Sequence, residues 1–206
     1  IARTGRPGPV LIDITKDVTQ AKCDYEYVPV EEHRIFEFPN QLSKRLMGGI
    51  ETREPETAAV ERLAQMVEEA ERPLLICGGG VVRGRANKEF NEFANRIDSP
   101  VAITVMGGGG FVGNDPLSTG MIGMHGSQAS NMAVDNCDLL IAVGCRFSDR
   151  VALQPSSFAS QAKIVQVDID STEIGKNVRC DHYVLGDAKR VLELLNEMVP
   201  QQSHKV

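Results

Sequence analysis

The sequence predicts an α/β domain with a parallel sheet covered by helices on both faces. Segments with helical spacing alternate with short apolar runs, and the runs Leu74-Leu75-Ile76-Cys77 and Leu139-Leu140-Ile141-Ala142-Val143 show no polar alternation. That is the pattern of strands buried on both faces. Glycines then follow the runs, at Gly78 to Gly80, Gly107 to Gly110, Gly144 and Gly186. Ligands of such sheets lie outside the carboxyl ends of the strands, so this placement points to a nucleotide-type ligand there.

Taken in order, Val10-Leu11-Ile12-Asp13-Ile14 follows Gly5-Arg6-Pro7-Gly8-Pro9 and reads as a turn leading into a buried strand. From Thr19 to about Glu56 periodicity fades amid Pro29, Glu31, Glu32, Arg34, Pro39 and Asn40, the composition of a surface linker. Ala58, Val60, Leu63, Ala64, Met66, Val67 and Ala70 recur at helical spacing until Pro73 ends the helix. Strand 74–77 follows, then a helix from about Ala86 to Arg96, strand 100–105 and the glycine-rich loop. Residues 128–136 read as a helix, and 139–143, 163–167 and 183–185 as strands. Ala188 to Val199 closes as an amphipathic helix.

Composition narrows the function classes. The chain has 206 residues, 42% of them hydrophobic and 24% charged, enough apolar content for a buried core. Twenty-eight acids against 22 bases give a net charge of −6, and aromatic residues are 5% with no Trp. Neither the basic face nor the stacking platform of a nucleic-acid binder is present. No apolar run is long enough to span a membrane, and no secretory signal pattern opens the chain. The five cysteines (Cys23, Cys77, Cys137, Cys145, Cys180) form no CxxC and have no His at metal-ligand spacing. Cys77 and Cys145 read as small core residues, and the whole set suits a reducing, cytoplasmic protein. Starting at Ile1 in a strand-like segment, the chain reads as a piece of something longer.

Four motifs are candidates for carrying chemistry, and three of them stand. Gly108 to Gly113 matches GxGxxG literally, but Asn114-Asp115-Pro116 follows instead of a helix, so the match is accidental. Gly120-Met121-Ile122-Gly123-Met124-His125-Gly126 combines small and flexible apolar residues that can wrap a large flat ligand. In Gly144-Cys145-Arg146-Phe147-Ser148-Asp149-Arg150, two arginines flank an acid at a strand end, a set that binds phosphate or carboxylate and holds itself in place. Asp168 and Asp170 close another strand, either as acceptors for ribose hydroxyls or with Asp170 capping a short helix ahead of Glu173.

Together Gly5 to Asp13 with Lys16-Asp17-Val18, Gly123-Met124-His125-Gly126, Arg146 to Val151 and Val167-Asp168-Ile169-Asp170 resemble the catalytic subunit of acetolactate synthase, a thiamine-diphosphate enzyme. The resemblance runs from Ile1 to about Val199. It implies the end of the pyrimidine-binding thiamine domain over 1–18, a linker over 19–56, a central FAD-binding domain over 57–199 and a tail over 200–206. The implied fold is a six-stranded parallel sheet of the DHS-like NAD/FAD-binding kind. Thr15 stands where many members have Pro, and Met106 to Phe111 replaces a bulkier loop.

The resemblance further implies a parent transferase that decarboxylates pyruvate and joins the fragment to a second 2-keto acid, in branched-chain amino-acid synthesis. Its FAD is structural, and thiamine diphosphate with Mg2+ is held by other domains. No catalytic or metal-ligating residue falls in this chain, which is expected to be inactive alone. By resemblance Arg6, Gly78, Gly79, Thr104, Val105, Ile122, Gly123, Met124, His125, Gly144, Cys145, Arg146, Phe147, Ser148, Asp149, Asp168, Ile169, Asp187 and Ala188 face the flavin. Arg150 and Lys16 face the substrate. Implied partners are the remaining domains, further copies in a dimer or tetramer, and a small regulatory subunit. Glyoxylate carboligase, or a nucleotide-binding module without catalysis, are the alternatives.

Overall fold

A computed structural model describes residues 9, 11–22, 24 and 54–204. Arg6 and Cys23 lie outside the described residues, as does most of the stretch expected to be a linker. The chain divides into two compact units, Ile1–Glu51 and Thr52–Val206. In the first, α1 spans Lys16–Gln20, and Thr19 Oγ1 donates to the Lys16 carbonyl at 2.8 Å. Residues 11–14, expected to be a strand, have no strand geometry. An extended segment becomes a strand through hydrogen bonds to a neighbour, and no strand lies among the described residues of that unit.

The second unit is a six-stranded parallel sheet. Its strands are β1 (Pro73–Cys77), β2 (Val101–Ile103), β3 (Ser118–Met121), β4 (Leu139–Val143), β5 (Lys163–Asp168) and β6 (His182–Leu185). They lie in the order β3-β2-β1-β4-β5-β6, every pair parallel. The helices are α2 (Thr57–Glu69), α3 (Gly79–Arg83), α4 (Asn87–Arg96), α5 (Gln128–Asn136) and α6 (Ala188–Met198).

Alternate residues of β1, β2, β4 and β5 feed two separate cores, because successive side chains point to opposite faces. Leu75 and Cys77 of β1 and Leu139, Ile141 and Val143 of β4 meet α2, α4 and α6 through Leu63, Val67, Phe90, Phe93, Val191 and Leu195. Leu74 and Ile76 of β1 and Leu140 and Ala142 of β4 face the second core, with Val134 of α5, Phe147, Ala159 and Val178. The first face is thus covered by α2, α3, α4 and α6. The second carries one helix and long irregular connections.

Two elements escape periodicity. β3 reads Ser-Thr-Gly-Met, with no apolar run to mark it. It pairs with β2 through a bulge between Val101 and Ala102, and is held by hydroxyls: Thr119 Oγ1 donates to the Val101 carbonyl at 2.9 Å and lies 2.8 Å from Ser130 Oγ of α5. α3 begins inside the glycines that follow β1. Glycine is a poor helix former, so the 79–83 turn forms because Val81 is buried in the first core. Expected strand 100–105 shortens to 101–103, since Thr104 turns the chain into a 3₁₀ helix over Val105–Gly107, its Oγ1 accepting from the Gly107 amide.

Asp138, just before β4, accepts from the amides of Glu71 and Arg72 at 2.8 and 2.9 Å and so fixes where β1 starts relative to β4. Asp138→Ala is expected to lower stability by about 1 to 2 kcal/mol, the scale of hydrogen bonds to a charged group reduced by exposure. Urea unfolding with an unchanged slope would measure it.

Candidate functional site

The carboxyl edge of the sheet gathers the strand-end loops through one line of backbone hydrogen bonds. Ile122 N donates to Ile103 O (2.9 Å), Thr104 N to Cys77 O (3.0 Å), Gly78 N to Val143 O (2.9 Å), Gly144 N to Val167 O (2.8 Å) and Gly186 N to Asp168 O (2.9 Å). The strand order turns back between β1 and β4, where ligands of open α/β sheets bind.

At that point the chain leaves β1 and β4 in opposite directions. Val81, just after β1, is buried in the first core, whereas Cys145 and Phe147, just after β4, enter the second. The two departures pack backbone on backbone. A Cβ on Gly78 would stand 2.2 Å from Gly144 O, and one on Gly144 would stand 2.3 Å from Gly80 Cα. Gly144 also has φ +60°, a region that L residues enter at a cost. The centre of the edge is therefore bare of side chains.

Around it stand groups of three kinds. Arg146 and Arg150 are exposed cations. Val105, Met106 and Met124 are large apolar residues left 74%, 58% and 39% exposed. Asp168 closes β5 with its carboxylate buried, one oxygen accepting from the Asp170 amide at 3.0 Å. Bare backbone, cations and exposed apolar side chains suit a ligand with an anionic portion and a flat apolar ring, so the residues present fit a flavin nucleotide.

The expected site residues differ in what they offer. Gly79 lies against Met106, a Cβ there standing 3.0 Å from the Met106 Cβ. Met124 and Arg150 come together: the Met124 amide donates to Arg150 O at 2.9 Å, and an Arg150 guanidinium nitrogen is 3.9 Å from Met124 Sδ. Asp149 pairs with Arg150 at 3.8 Å, both exposed, and Arg146 makes no ion pair with it. The expected mutual bracing of the three charges therefore reduces to one weak contact. Cys145 and Phe147 bury their side chains, and Phe147 meets the Phe158 ring edge-on at 5.5 Å, so at the edge they offer backbone. Thr104 and Ile122 are buried, whereas His125 is exposed. Ser148 accepts through its carbonyl from the Val151 and Ala152 amides, turning the chain after Phe147. Asp187 caps α6, accepting from the Lys189 and Arg190 amides, with Ala188 and Ile169 beside the two carboxylates. Asp170 caps the 3₁₀ turn Ser171–Glu173, as its capping alternative expected. Lys16 lies in the first unit, on α1. No helix opens at Gly108–Gly113.

Several supporting residues carried no sequence signal. Asn177 Nδ2 donates to the Arg146 carbonyl at 3.0 Å. Asn87 and Asn91, one turn apart on α4, hold the glycine loop by donating to Gly109 O (2.7 Å) and Gly110 O (3.0 Å). Each looks like an ordinary solvent-facing polar residue in one dimension. Ser127 was legible in principle as a helix N-cap, accepting from the Ser130 amide.

Comparison with known proteins bears on the whole second unit. The family described as "Thiamine pyrophosphate enzyme, central domain" matches residues 60–195. The acetolactate synthase large subunit of Parasynechococcus marenigrum is 45% identical over 204 residues, 98% of this chain and 31% of that one. The acetolactate synthase of Arthrospira platensis is 43% identical over 195 residues, 93% of this chain and 32% of that one. The chain thus spans about a third of the length of these curated relatives. An X-ray structure of a protein from Mycobacterium smegmatis, assigned to the thiamin diphosphate-dependent enzymes, superposes with TM-score 0.65 at 22% identity. It covers 75% of this chain and 30% of that one, a likeness of fold.

Three outcomes follow from the packing of this unit. In Gly144→Ala the added methyl would run into the Gly80 backbone at a positive φ, so strain and overpacking together are expected to remove roughly 2 to 5 kcal/mol. Chemical denaturation would show it, and Ser148→Ala, a few residues on, should shift the midpoint far less. Burial pushes the thiols of Cys77 and Cys137 up to about 12 and that of Cys145 up to about 11. The thiolate is the reactive form, so these three should resist iodoacetamide at pH 8 and react once the chain is unfolded. The same shifts set a pH limit. The folded thiols stay neutral above the ordinary value of 9.0 while unfolded ones ionise, so stability should fall as pH rises from about 9 towards 11 to 12.

Proposed function

The chain belongs to the thiamine pyrophosphate enzyme central-domain family, and we propose that it is the middle, FAD-holding domain of an acetolactate synthase catalytic subunit. The observation that carries this is the coincidence of three features at one place: bare backbone where β1 and β4 part, exposed Arg146 and Arg150, and exposed Val105, Met106 and Met124. Identity of 43 to 45% to acetolactate synthases over nearly the whole chain supports that parent over other thiamine enzymes.

In this reading the parent is a transferase that condenses pyruvate with a second 2-keto acid, using thiamine diphosphate and Mg2+ held elsewhere in the protein. A bound flavin would supply a rigid, largely structural surface rather than electrons for the net reaction. This chain's residues divide the work of holding it. Gly78, Gly79 and Gly144 let backbone approach closely, because no side chain intervenes. Arg146 would supply positive charge to the pyrophosphate. Asp168, its carboxylate buried and bonded to the Asp170 amide, would shape the β5 end beside the ribose hydroxyls. Met124, Val105 and Met106 would cover an apolar ring. Arg150 offers a two-pronged guanidinium to a keto-acid carboxylate, which a lysine matches in charge and not in geometry. No step of bond making falls to this chain, so it acts by binding and orientation and needs the other domains to turn over. Further copies and a regulatory subunit are partners of that parent in the same reading.

Calorimetry of this chain with ADP and with FAD tests the proposal. Both should bind, and Arg146→Ala should weaken FAD by about 10- to 150-fold, the equivalent of roughly 1.5 to 3 kcal/mol for a charged hydrogen bond. Arg150→Ala should leave FAD affinity near the wild-type value. If neither nucleotide binds at millimolar concentration to the folded chain, the flavin reading fails. A loss confined to Arg150→Ala would mean the two arginines are assigned the wrong way round.

A further inference from the structure

We infer that Asn131 is a positioning residue whose carboxamide holds the loop bearing Met124 and His125 in register with the backbone of Arg150. The importance of that loop rests on the flavin reading above; the clamp rests on the geometry.

Gly123 follows β3 with φ +100°, and a Cβ there would stand 2.2 Å from Arg150 O. Both polar groups of Gly123 meet one side chain. Its amide donates to Asn131 Oδ1 at 3.0 Å, and Asn131 Nδ2 donates to the Gly123 carbonyl at 3.1 Å. A carboxamide presents an acceptor and a donor side by side, as a peptide group does in a sheet ladder. Asn131 therefore supplies the partner that an edge strand lacks at its end. The next amide, Met124 N, donates to Arg150 O at 2.9 Å. A displacement of Gly123 is thus passed to Met124 and to the Arg150 backbone.

Asn131 is itself placed by polar contacts. Its amide donates to Ser127 O at 3.2 Å, within the first turn of α5. That turn is bolted to β3, since Ser127 Oγ donates to Thr119 O and Ser130 Oγ to Gly120 O at 3.0 Å. Asn131 is exposed and has no place in either core. Asparagine is also a weaker helix former than alanine, so a residue there merely for the helix would be improved by Ala.

The test combines residue-resolved amide exchange with FAD titration on the whole 206-residue chain. In Asn131→Ala the Gly123 and Met124 amides should exchange at least tenfold faster, while Ile141 and Val143 of β4 keep their protection. FAD affinity should fall at least fivefold at an unchanged or raised melting temperature. Asn131→Asp keeps the acceptor for Gly123 N and loses the donor to its carbonyl, so it should give intermediate values in both measurements. Unchanged protection of Gly123 and Met124 in Asn131→Ala overturns the clamp. Faster exchange with unaltered FAD affinity overturns its positioning role. A wild-type chain without FAD affinity overturns the flavin reading instead, and the exchange comparison then decides the clamp by itself.

Discussion

The close crossing of Gly78 and Gly80 with Gly144 is the constraint on which the edge of this sheet depends. β1 and β4 are adjacent parallel strands, yet the chain leaves one toward the first core and the other toward the second. Two chain segments leaving neighbouring strands for opposite faces must pass within a strand spacing, about 4.8 Å. A Cβ on any of the three glycines would meet backbone at 2.2 to 2.5 Å. Backbone cannot rotate away as a side chain can, so the residue type is dictated by the crossing itself. The same crossing leaves the main chain without side chains where β1 and β4 part, the place at which the proposed site lies.

How much of this was legible follows from how each element is held. Strands β1 and β4 and helices α2, α4 and α6 are held by apolar burial, and apolar burial writes a period into the sequence. The helix expected over 128–136 has those bounds in the structure. β3 is held by Thr119 and Ser130 hydroxyls and by pairing with β2, and Ser-Thr-Gly-Met carries no period to read. α3 was hidden by its glycines, whose local preference is overridden by burial of Val81. The Leu11–Ile14 segment shows the converse error: an apolar run looks like a strand whether or not a neighbour supplies its ladder.

The site divides along the same line. Gly78, Gly144, Arg146, Arg150 and Asp168 of the proposed site could be nominated from sequence, because position at a strand end and residue type are both one-dimensional facts. The partners that fix their geometry were not. Asn177 reaches the Arg146 carbonyl from 31 residues away, and Asn131 reaches Gly123 from the outside of a helix. A polar side chain donating to main chain looks in sequence like any solvated residue. Expected pairing of Arg146 with Asp149 failed for a related reason: nearness in sequence says nothing about which way two exposed side chains turn.

The two faces of the sheet therefore stabilise their share of the edge by different means. On the first face the loops rest on packed helices, with Phe111 of the glycine loop buried and edge-on to Phe90 at 6.2 Å. On the second face irregular segments are pinned by side chains bonded to main chain. Arg179 donates to the carbonyls of Ala159, Ser160 and Ala162, and buried Gln166 joins the Gly175 amide to the Glu173 carbonyl. Apolar packing spreads its energy over many contacts, whereas a pinned loop depends on a few bonds of about 1 kcal/mol each. Segments of the second kind open locally at lower cost. Arg146 and Arg150, the two exposed cations after β4, both sit on that pinned side. The charge-bearing part of the proposed site is accordingly the part whose geometry single polar side chains can retune, while the glycine crossing stays fixed.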